Sequence, residues 1–410
     1  MAKIDASTVA LGRKIAFHRA RRGLSQRDFG AMIDRSETWV SQVERGERRI
    51  DRMTVLRQVA EALEVPLAEL AADTPIVAEA SSKPAPASAL RMLLSSSLRL
   101  ALATAEPSAG DLEALRTRAD RAWQLAHAAK YDTLVPILTA VIPDLEATVR
   151  AAKGSTRRAA YRILARAYHA AAATLVKLNE LGAAWVAADR AISAAEQADD
   201  QLLMAEGVFR LTLVFQAGRQ YDQAEQAAIT GIEALSPLVN AGRVPARSLQ
   251  GALRLQLAVL AARQNRADEA REQLRQARAA ADGLDGDRND FDTEFGPTNV
   301  TLHEVAVAVE LGDAGTALRV FAGVDMSRLS PERRGRVLID VARAHLQRRH
   351  PEGAISALVE AERLTPEQVH SHWMVRALLQ DLERAGHAKD PRVRGLLDRA
   401  RFTSPSPKPH

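Results

Sequence analysis

The chain has 410 residues, of which 47% are hydrophobic and only 4% aromatic, and it contains no cysteine. This length predicts more than one domain with a sizeable buried core. The lack of cysteine excludes disulfides, thiolate zinc sites and thiol nucleophiles. No apolar run is long enough to span a membrane and no secretory leader opens the sequence, so we expect a cytoplasmic protein.

The positive charge is concentrated near the start of the chain. The net charge is +5, and residues 11–49 alone carry ten Arg or Lys against five Asp or Glu, so the rest is close to balance. Local positive charge is what counterion-releasing contact with DNA requires. A solvated basic face would give the same excess of positive charge. The charge is therefore supporting evidence for DNA binding and does not establish it.

Residues 25–46 read as two short helices joined by a tight turn. Ser25 is placed to cap the first helix, with Asp28 at the capping-box position three residues later. Asp34 then breaks the helical pattern, and Asp is one of the few non-glycine residues that tolerates left-handed backbone geometry. Ser36 is placed to cap the second helix. The pattern predicts a helix-turn-helix, with a generic amphipathic helical hairpin as the alternative.

The second helix of this pair has one apolar and one polar face. On a wheel of 3.6 residues per turn, Val40 and Val43 point one way. A helix held from behind by two valines, with short polar groups outward, suits entry into a DNA major groove. The outward residues are Thr38, Ser41, Gln42 and Arg45, flanked by Glu37 and Trp39.

The spacing of Leu11-Gly12, Gly23-Leu24-Ser25-Gln26 and Val43-Glu44-Arg45-Gly46 resembles the XRE, or Cro-like, DNA-binding domain of phage repressors and many bacterial regulators. The resemblance covers residues 8–72 and predicts a DNA-binding domain over residues 8–73. It implies five short helices, near residues 9–21, 26–33, 37–45, 51–63 and 67–72.

The resemblance also implies roles for individual residues. It places Gln26 on the DNA backbone and the start of the second motif helix at the base edges. The full predicted DNA-contact set is Gln26, Arg27, Ser36, Glu37, Thr38, Trp39, Ser41, Gln42, Arg45, Arg48 and Arg49. Two residues depart from the family pattern. Gly30 stands where Ala is usual, which should loosen the first helix. Trp39 is large for a base-reading position, so a place in the domain's own core is an equal alternative.

Residues 74–88 are small, proline-bearing and almost uncharged, which predicts a flexible linker. Residues 89–402 are rich in helix formers and repeat a phrase of a turn, a polar stretch and a small residue. The closing alanines fall at residues 187, 224, 270, 317 and 354, with gaps of 37, 46, 47 and 37. These phrases resemble the turns of tetratricopeptide repeats.

The repeat resemblance implies an α-solenoid with a concave inner surface, and therefore an all-α protein of two parts. An unrelated helical bundle is the alternative. Residues 403–410 are predicted to be a disordered tail. The sequence shows no catalytic constellation. Asp285–Asn289 begins like a calcium loop, but Asp290 and Gly296 stand where Gly and Glu are needed. Residues 282–292 therefore read as a solvated acidic loop, and neither an enzyme, a cofactor nor a metal site is predicted.

Candidate ligand residues follow from the repeat register, which places Asn299 towards the concave groove beside residues of other repeats. Asn and Arg side chains could hold the backbone and carboxylates of an extended peptide, because both offer fixed multi-donor geometry. The alternative is that Asn299 caps its helix and the arginines are solvated. The candidate set is His169, Asn179, Phe295, Asn299, His303, Arg336 and Arg343.

The combination of the two parts resembles regulators whose repeat body binds a short signalling peptide, and actinobacterial XRE regulators with helical-repeat bodies. It implies a nucleoid-associated homodimer on a palindromic operator, with half-sites about 34 Å apart. Its effector would be a peptide or a small signalling molecule. The alternative is a repeat domain that docks another protein, such as a sigma or anti-sigma factor. An apolar groove would favour docking, and a polar groove lined by Asn and Arg would favour a peptide.

Overall fold

The computed structural model describes residues 6–22, 24–48, 50, 53–65, 70, 85–95, 100, 104, 108–327 and 329–402. All regular structure in these ranges is helical, which confirms the predicted all-α class. None of their helices is long and apolar enough to cross a membrane. The chain divides into two units, Met1–Ser82 and Lys83–His410, which are described separately.

The first unit contains the predicted helix-turn-helix. Its helices are α1 (Ala6–Arg21), α2 (Gln26–Met32), α3 (Glu37–Glu44) and α4 (Met53–Leu63). Of the predicted fifth helix only Leu70 lies within the described residues, and it is buried. The core is formed by apolar side chains from all these helices, among them Leu11, Ile15, Phe29, Val40, Val43, Leu56 and Val59.

The α2–α3 turn is built from local hydrogen bonds. The Ser25 hydroxyl accepts from the backbone N–H of Asp28 at 3.1 Å and donates to its carboxylate at 2.7 Å. Asp34 has a left-handed φ of 53°. The Ser36 hydroxyl accepts from the N–H of Trp39 at 3.1 Å, so α3 begins with a satisfied cap. Both predicted caps and the predicted left-handed position are confirmed.

The presence of glycine at position 30 has a steric explanation that the sequence did not reveal. A Cβ at this position would lie 2.6 Å from the carbonyl oxygen of Arg35, which is backbone and cannot swing away. Alanine is the better helix former by about 1 kcal/mol, but overpacking costs about 1–3 kcal/mol. We therefore expect Gly30→Ala to lower the free energy of unfolding of this unit by about 1 kcal/mol. Urea unfolding would check the sign, and a stabilised variant would contradict it.

The second unit is a series of helices. They are α5 (Ala85–Leu93), α6 (Leu112–His127), α7 (Tyr131–Ala151), α8 (Gly154–Lys177), α9 (Leu181–Gln197), α10 (Gln201–Ala217), α11 (Tyr221–Asn240), α12 (Val244–Arg263), α13 (Ala267–Asp282), α14 (Pro297–Glu310), α15 (Ala314–Ala322), α16 (Pro331–Gln347), α17 (Pro351–Leu364), α18 (Pro366–Ser371), α19 (Trp373–Arg384) and α20 (Pro391–Phe402). Helix α5 begins inside the predicted linker, so residues 85–88 are helical; residues 74–84 lie outside the described residues.

The helices α6 to α17 are arranged in pairs, as a tetratricopeptide-like solenoid requires. The first helices of successive pairs, α6, α8, α10, α12, α14 and α16, pack side by side and form an inner layer. The second helices pack on their own partner and on the first helix of the next pair. The alanines at 187, 224, 270, 317 and 354 are fully buried, because the paired helices approach closely there.

Every turn within a pair uses one residue in the left-handed region. These residues are Ala129, Asn179, Arg219, Asn265, Gly312 and Arg349, with φ between 54° and 79°. Backbone N–H groups after each of them bond back to carbonyls of the preceding helix, for example Glu180 N to Leu175 O at 2.9 Å. The repeated turn phrases of the sequence therefore mark helix C-caps of one common type.

Candidate functional site

Helix α3 presents the polar face that the sequence predicted. Val40 and Val43 are buried beneath it, 1% and 2% exposed. Glu37 and Thr38 are exposed, and Ser41 and Gln42 are partly exposed on the opposite side. Such a face, at the N-terminal part of a capped helix, has the geometry of a recognition helix. Arg27, Ser36, Arg45 and Arg48 are also exposed and Gln26 is partly exposed, whereas Arg49 lies outside the described residues.

Trp39 does not belong to this outward face. Trp39 is only 9% exposed and packs in the core of the unit with Phe29 and Val40. The guanidinium of Arg35 lies over the indole ring, 5.7 Å from its centroid. Of the two alternatives for Trp39, the structure has the core position and not the base-reading one, because the large ring gains more by filling the core than by facing water.

A buried carboxylate holds the predicted backbone-contacting residue in place. Glu44, at the end of α3, accepts from Arg19 Nε at 2.6 Å and Arg19 Nη2 at 3.1 Å. It also accepts from Gln26 Nε2 at 2.6 Å. Hydrogen bonding to Glu44 raises the pKa of Arg19. The sequence alone assigned no role to Arg19 or Glu44, although Glu44 belongs to the family pattern quoted above and that was the available signal.

The predicted phosphate contact Arg45 is paired in this structure. Its guanidinium binds both carboxylate oxygens of Glu47 at 2.9 Å and donates to the Ser41 hydroxyl at 3.0 Å. These groups are largely exposed, so the pair is weak and can exchange for a phosphate. Arg45 and Ser41 therefore lie at the same edge of α3, beside the polar face.

In the repeat unit, two predicted ligand residues are buried histidines. His169 on α8 is fully buried, its Nε2 lies 3.2 Å from the carbonyl of Leu203, and burial lowers its pKa well below the usual value. His303 on α14 donates from Nδ1 to the carbonyl of Asn299 at 2.9 Å, and burial lowers its pKa to about 4. Asn299 is 2% exposed, and its Oδ1 atom has no hydrogen-bond partner. These three residues belong to the inner layer but are closed to a ligand.

Two further candidate ligand residues have structural roles of their own. Phe295 is fully buried and covers Gly251 so closely that a Cβ there would lie 2.0 Å from the ring. Its ring is therefore part of the core. Asn179 is exposed in the α8–α9 turn with φ 58°, so it is a turn residue, selected because asparagine tolerates this conformation.

The two predicted arginines lie on the inner helix α16 and are paired. Arg336 Nη1 lies 2.8 Å from Nε2 of His372 and its Nε is 3.6 Å from Asp340. Arg343 donates to Glu310 at 2.9 Å. Both side chains are about a quarter to a third exposed. Both arginines are therefore held by neighbouring side chains rather than solvated.

Two acidic side chains that connect the inner helices, Asp292 and Glu294, lie at and just beyond the end of the loop that was predicted to be solvated. The side chains of Asp292 and Glu294 are only 11% and 14% exposed. His127 at the end of α6 lies between them, with Nε2 3.1 Å from Asp292 and Nδ1 3.3 Å from Glu294. The prediction of a solvated loop over residues 282–292 is therefore wrong at Asp292, and Glu294 lies just beyond that loop. The neighbouring Phe291 and Phe295 were the available signal, because aromatic residues seldom flank a loop that stays in water.

Within the described ranges, no group of His, Asp or Glu is arranged to hold a metal ion.

A match to a protein-family model falls on the first unit. A family model described as a helix-turn-helix domain matches residues 10–72. No curated protein matches the chain. Among solved structures, the crystal structure of Bacillus thuringiensis PlcR in complex with the peptide PapR7 and DNA is similar at 14% identity. The match covers 67% of this chain and 95% of that chain, with a TM-score of 0.28.

The matched residues coincide with the geometry of the first unit. They span most of α1, the capped α2–turn–α3 pair, α4 and the buried Leu70. The polar face of α3 and its two buried valines lie at the centre of the matched segment. Residues 10–72 of the first unit therefore form a helix-turn-helix domain.

Proposed function

We propose that the protein is a homodimeric, ligand-responsive transcriptional regulator that binds a palindromic operator. The observation that carries the DNA-binding part is the outward face of α3, which is polar, accessible and fixed from behind by Val40 and Val43. The repeat unit supplies the dimer interface and the sensor. A ligand that binds one arrangement of the dimer better than another shifts the population between them and so changes operator affinity.

The sensor part is supported by the polar character of the inner helices. Arg166, Arg210 and Arg333 come from three different inner helices, and each binds a carboxylate or a backbone carbonyl. A polar groove of this kind suits a peptide or a small signalling molecule better than the apolar face of a partner protein. The protein-docking alternative is therefore the weaker proposal.

Chromatin immunoprecipitation in the native host, followed by footprinting on the strongest site, tests the DNA-binding part. We expect a footprint with two-fold symmetry that overlaps a promoter, with half-sites about 34 Å apart. A footprint without symmetry would contradict the homodimer, and a lack of enrichment from well-expressed protein would contradict the regulator.

Gln42→Ala is expected to weaken binding to that operator by about 1–3 kcal/mol, because an amide in the major groove can bond two atoms of one base. The side chain is partly exposed on α3, so folding should be unchanged. Gln58→Ala, at an exposed position on α4, is the matched control. Fluorescence anisotropy with a labelled operator is the measurement. Equal affinity of Gln42→Ala and the wild-type protein would remove Gln42 from the base-reading residues.

A further inference from the structure

The loop between α13 and α14 lies on the inner layer. Asp292 binds His127 of α6 at 3.1 Å and Arg166 of α8 at 3.3 Å. Glu294 binds His127 at 3.3 Å and accepts from the backbone N–H and the hydroxyl of Ser330, at 3.1 and 2.9 Å. Two carboxylates of one short segment are thus held by groups from the first, second and last inner helices.

The main chain of the same segment is also held by inner-layer side chains. Arg210 of α10 donates from Nη2 to the carbonyls of Phe291 and Asp292, at 3.0 and 3.2 Å. Arg333 of α16 donates to the carbonyl of Thr293 at 2.9 Å. Guanidinium groups on carbonyls, together with cationic groups on carboxylates, are the contacts by which proteins hold a short peptide.

The segment adopts a conformation that its own residues disfavour. Phe291, Asp292 and Glu294 have φ values of 53°, 54° and 51°, in the left-handed region that non-glycine residues rarely occupy. Three such residues within four positions are not explained by local preference. Contacts with the inner helices therefore impose the conformation, and the segment would relax if those contacts were exchanged for others.

The charges around the segment select for an anionic occupant. His127, Arg166, Arg210 and Arg333 are the basic groups that contact it. The other carboxylates bound to these groups are Asp120, on Arg166 at 2.7 Å, and Glu206, on Arg210 at 3.2 Å. Without Asp292 and Glu294 this surface would carry four basic groups against two carboxylates. Uncompensated charge on a partly buried surface is costly, so anions that cover this surface stabilise it.

We propose that Asp290–Glu294 is a tethered occupant of a carboxylate-binding site, and that the free ligand of this site is an acidic peptide that displaces it. The peptide carries two carboxylates spaced two residues apart, as Asp292 and Glu294 are. This inference rests on the proposed function only in taking the repeat unit as the sensor. It adds the ligand class, the site and the competing segment.

Displacement has a structural consequence for the repeat unit. Glu294 joins the end of α6 to the beginning of α16, the first and last inner helices. A second contact between the two ends, from Glu367 of α18 to the backbone N–H of Asp132 at 3.0 Å, does not involve the segment. A ligand that replaces Glu294 thus acts at one of the contacts between the two ends of the array.

The test uses the full-length chain and a fluorescein-labelled peptide with the sequence of residues 288–296, Arg-Asn-Asp-Phe-Asp-Thr-Glu-Phe-Gly. The double variant Asp292→Asn/Glu294→Gln weakens the tethered segment while it keeps the side-chain size. We expect it to bind the peptide about tenfold more tightly than the wild-type chain, because the site is free for a larger fraction of the time. A peptide with Asn and Gln at the two acidic positions should not bind.

Asp282→Asn/Asp285→Asn is the matched control, because it changes the net charge equally at exposed positions before the segment. It should bind the peptide as the wild-type chain does. Equal affinity of the wild type and of the Asp292/Glu294 variant, or no binding to either, would overturn the proposal. Because the assay contains no DNA, its failure leaves the operator footprint unaffected, and a missing footprint leaves the peptide result valid.

A second measurement needs no variant and so does not depend on its folding. Hydrogen exchange of the wild-type chain is compared with and without a saturating amount of the unlabelled peptide. Displacement should speed exchange at the amides of residues 291–294, and the Asn/Gln peptide should have no effect. Unchanged or slower exchange of these amides in the presence of the acidic peptide would contradict the displacement.

Discussion

Replacement of Glu44 by alanine is expected to lower the free energy of unfolding of the helix-turn-helix unit by about 3 kcal/mol. The Glu44 side chain is 6% exposed and the Arg19 side chain is 16% exposed. Loss of the carboxylate would leave the Arg19 guanidinium largely buried without its counter-charge and would free the amide of Gln26. Hydrogen exchange of the amides of α1 to α4 in the full-length chain is the measurement.

Glu64→Ala is the matched control for this prediction. Glu64 also pairs with an arginine, Arg22, at 2.7 Å, but its side chain is 68% exposed. Pairs of this kind contribute about 0–1 kcal/mol, so the control should exchange nearly as the wild type does. Similar losses of unfolding free energy for Glu44→Ala and Glu64→Ala would mean that the buried Arg19–Glu44 pair stabilises the unit no more than an exposed pair does.

A double variant separates stability from DNA binding. In Arg19→Met/Glu44→Leu both charges are replaced by apolar groups of similar volume, which is often nearly neutral for stability. Gln26 then has no carboxylate to orient it. We therefore expect near-wild-type stability and weaker operator binding. Full operator affinity in a stable double variant would show that Glu44 has no part in positioning Gln26.

An increase in pH from 6.5 to 9.5 is expected to lower the free energy of unfolding of the repeat unit by about 3 kcal/mol through His127. Burial alone would lower the pKa of His127, but hydrogen bonds and the charges of Asp292 and Glu294 outweigh it and raise the pKa from 6.5 to about 9. A tenfold change in proton affinity between the folded and unfolded states corresponds to about 1.4 kcal/mol. The contribution is fully present below pH 6.5 and is lost as the pH rises through about 9.

The measurement is urea unfolding at several pH values and constant ionic strength, followed by far-ultraviolet circular dichroism. His127→Gln removes the titrating group and keeps a hydrogen-bond donor, so most of the decline above pH 8 should disappear. Burial raises the pKa of Glu206 to about 8, which also removes stability as the pH rises from 4.5 to 8. The variant should therefore keep a shallower decline below pH 8. Identical curves for both proteins would exclude His127 as the cause.

Both predictions concern carboxylates that the sequence did not mark as important. Glu44 holds Arg19 and Gln26 in the first unit, and Glu294 holds His127 and Ser330 in the second. Glu44 connects Gln26, which is proposed to contact DNA, to Arg19 of α1. Glu294 connects His127, which is proposed to contact the peptide, to Ser330 at the beginning of α16. Removal of either carboxylate should therefore alter stability and binding together, unless a partner is replaced as well.

The features that the sequence determined by itself are local ones. Ser25 and Ser36 cap helices, and Asp34 takes a left-handed conformation, because each depends on neighbours within about four residues. The paired arrangement of the repeat unit was predictable for the same reason, since each turn phrase ends a helix and opens the next. The alternation of Val40 and Val43 with polar residues was sufficient to define the outward face of α3.

The tertiary structure decided what the local pattern left open. Trp39 and Phe295 belong to the core because other helices supply the apolar surface that covers them. The hydrogen bond between His127 and Asp292 joins residues 165 positions apart, and the ion pair between Arg166 and Asp292 joins residues 126 apart. Periodicity describes only which side of a helix a residue occupies. Which acidic loop meets which basic helix depends on how successive pairs stack, and that is determined by packing over the whole repeat unit.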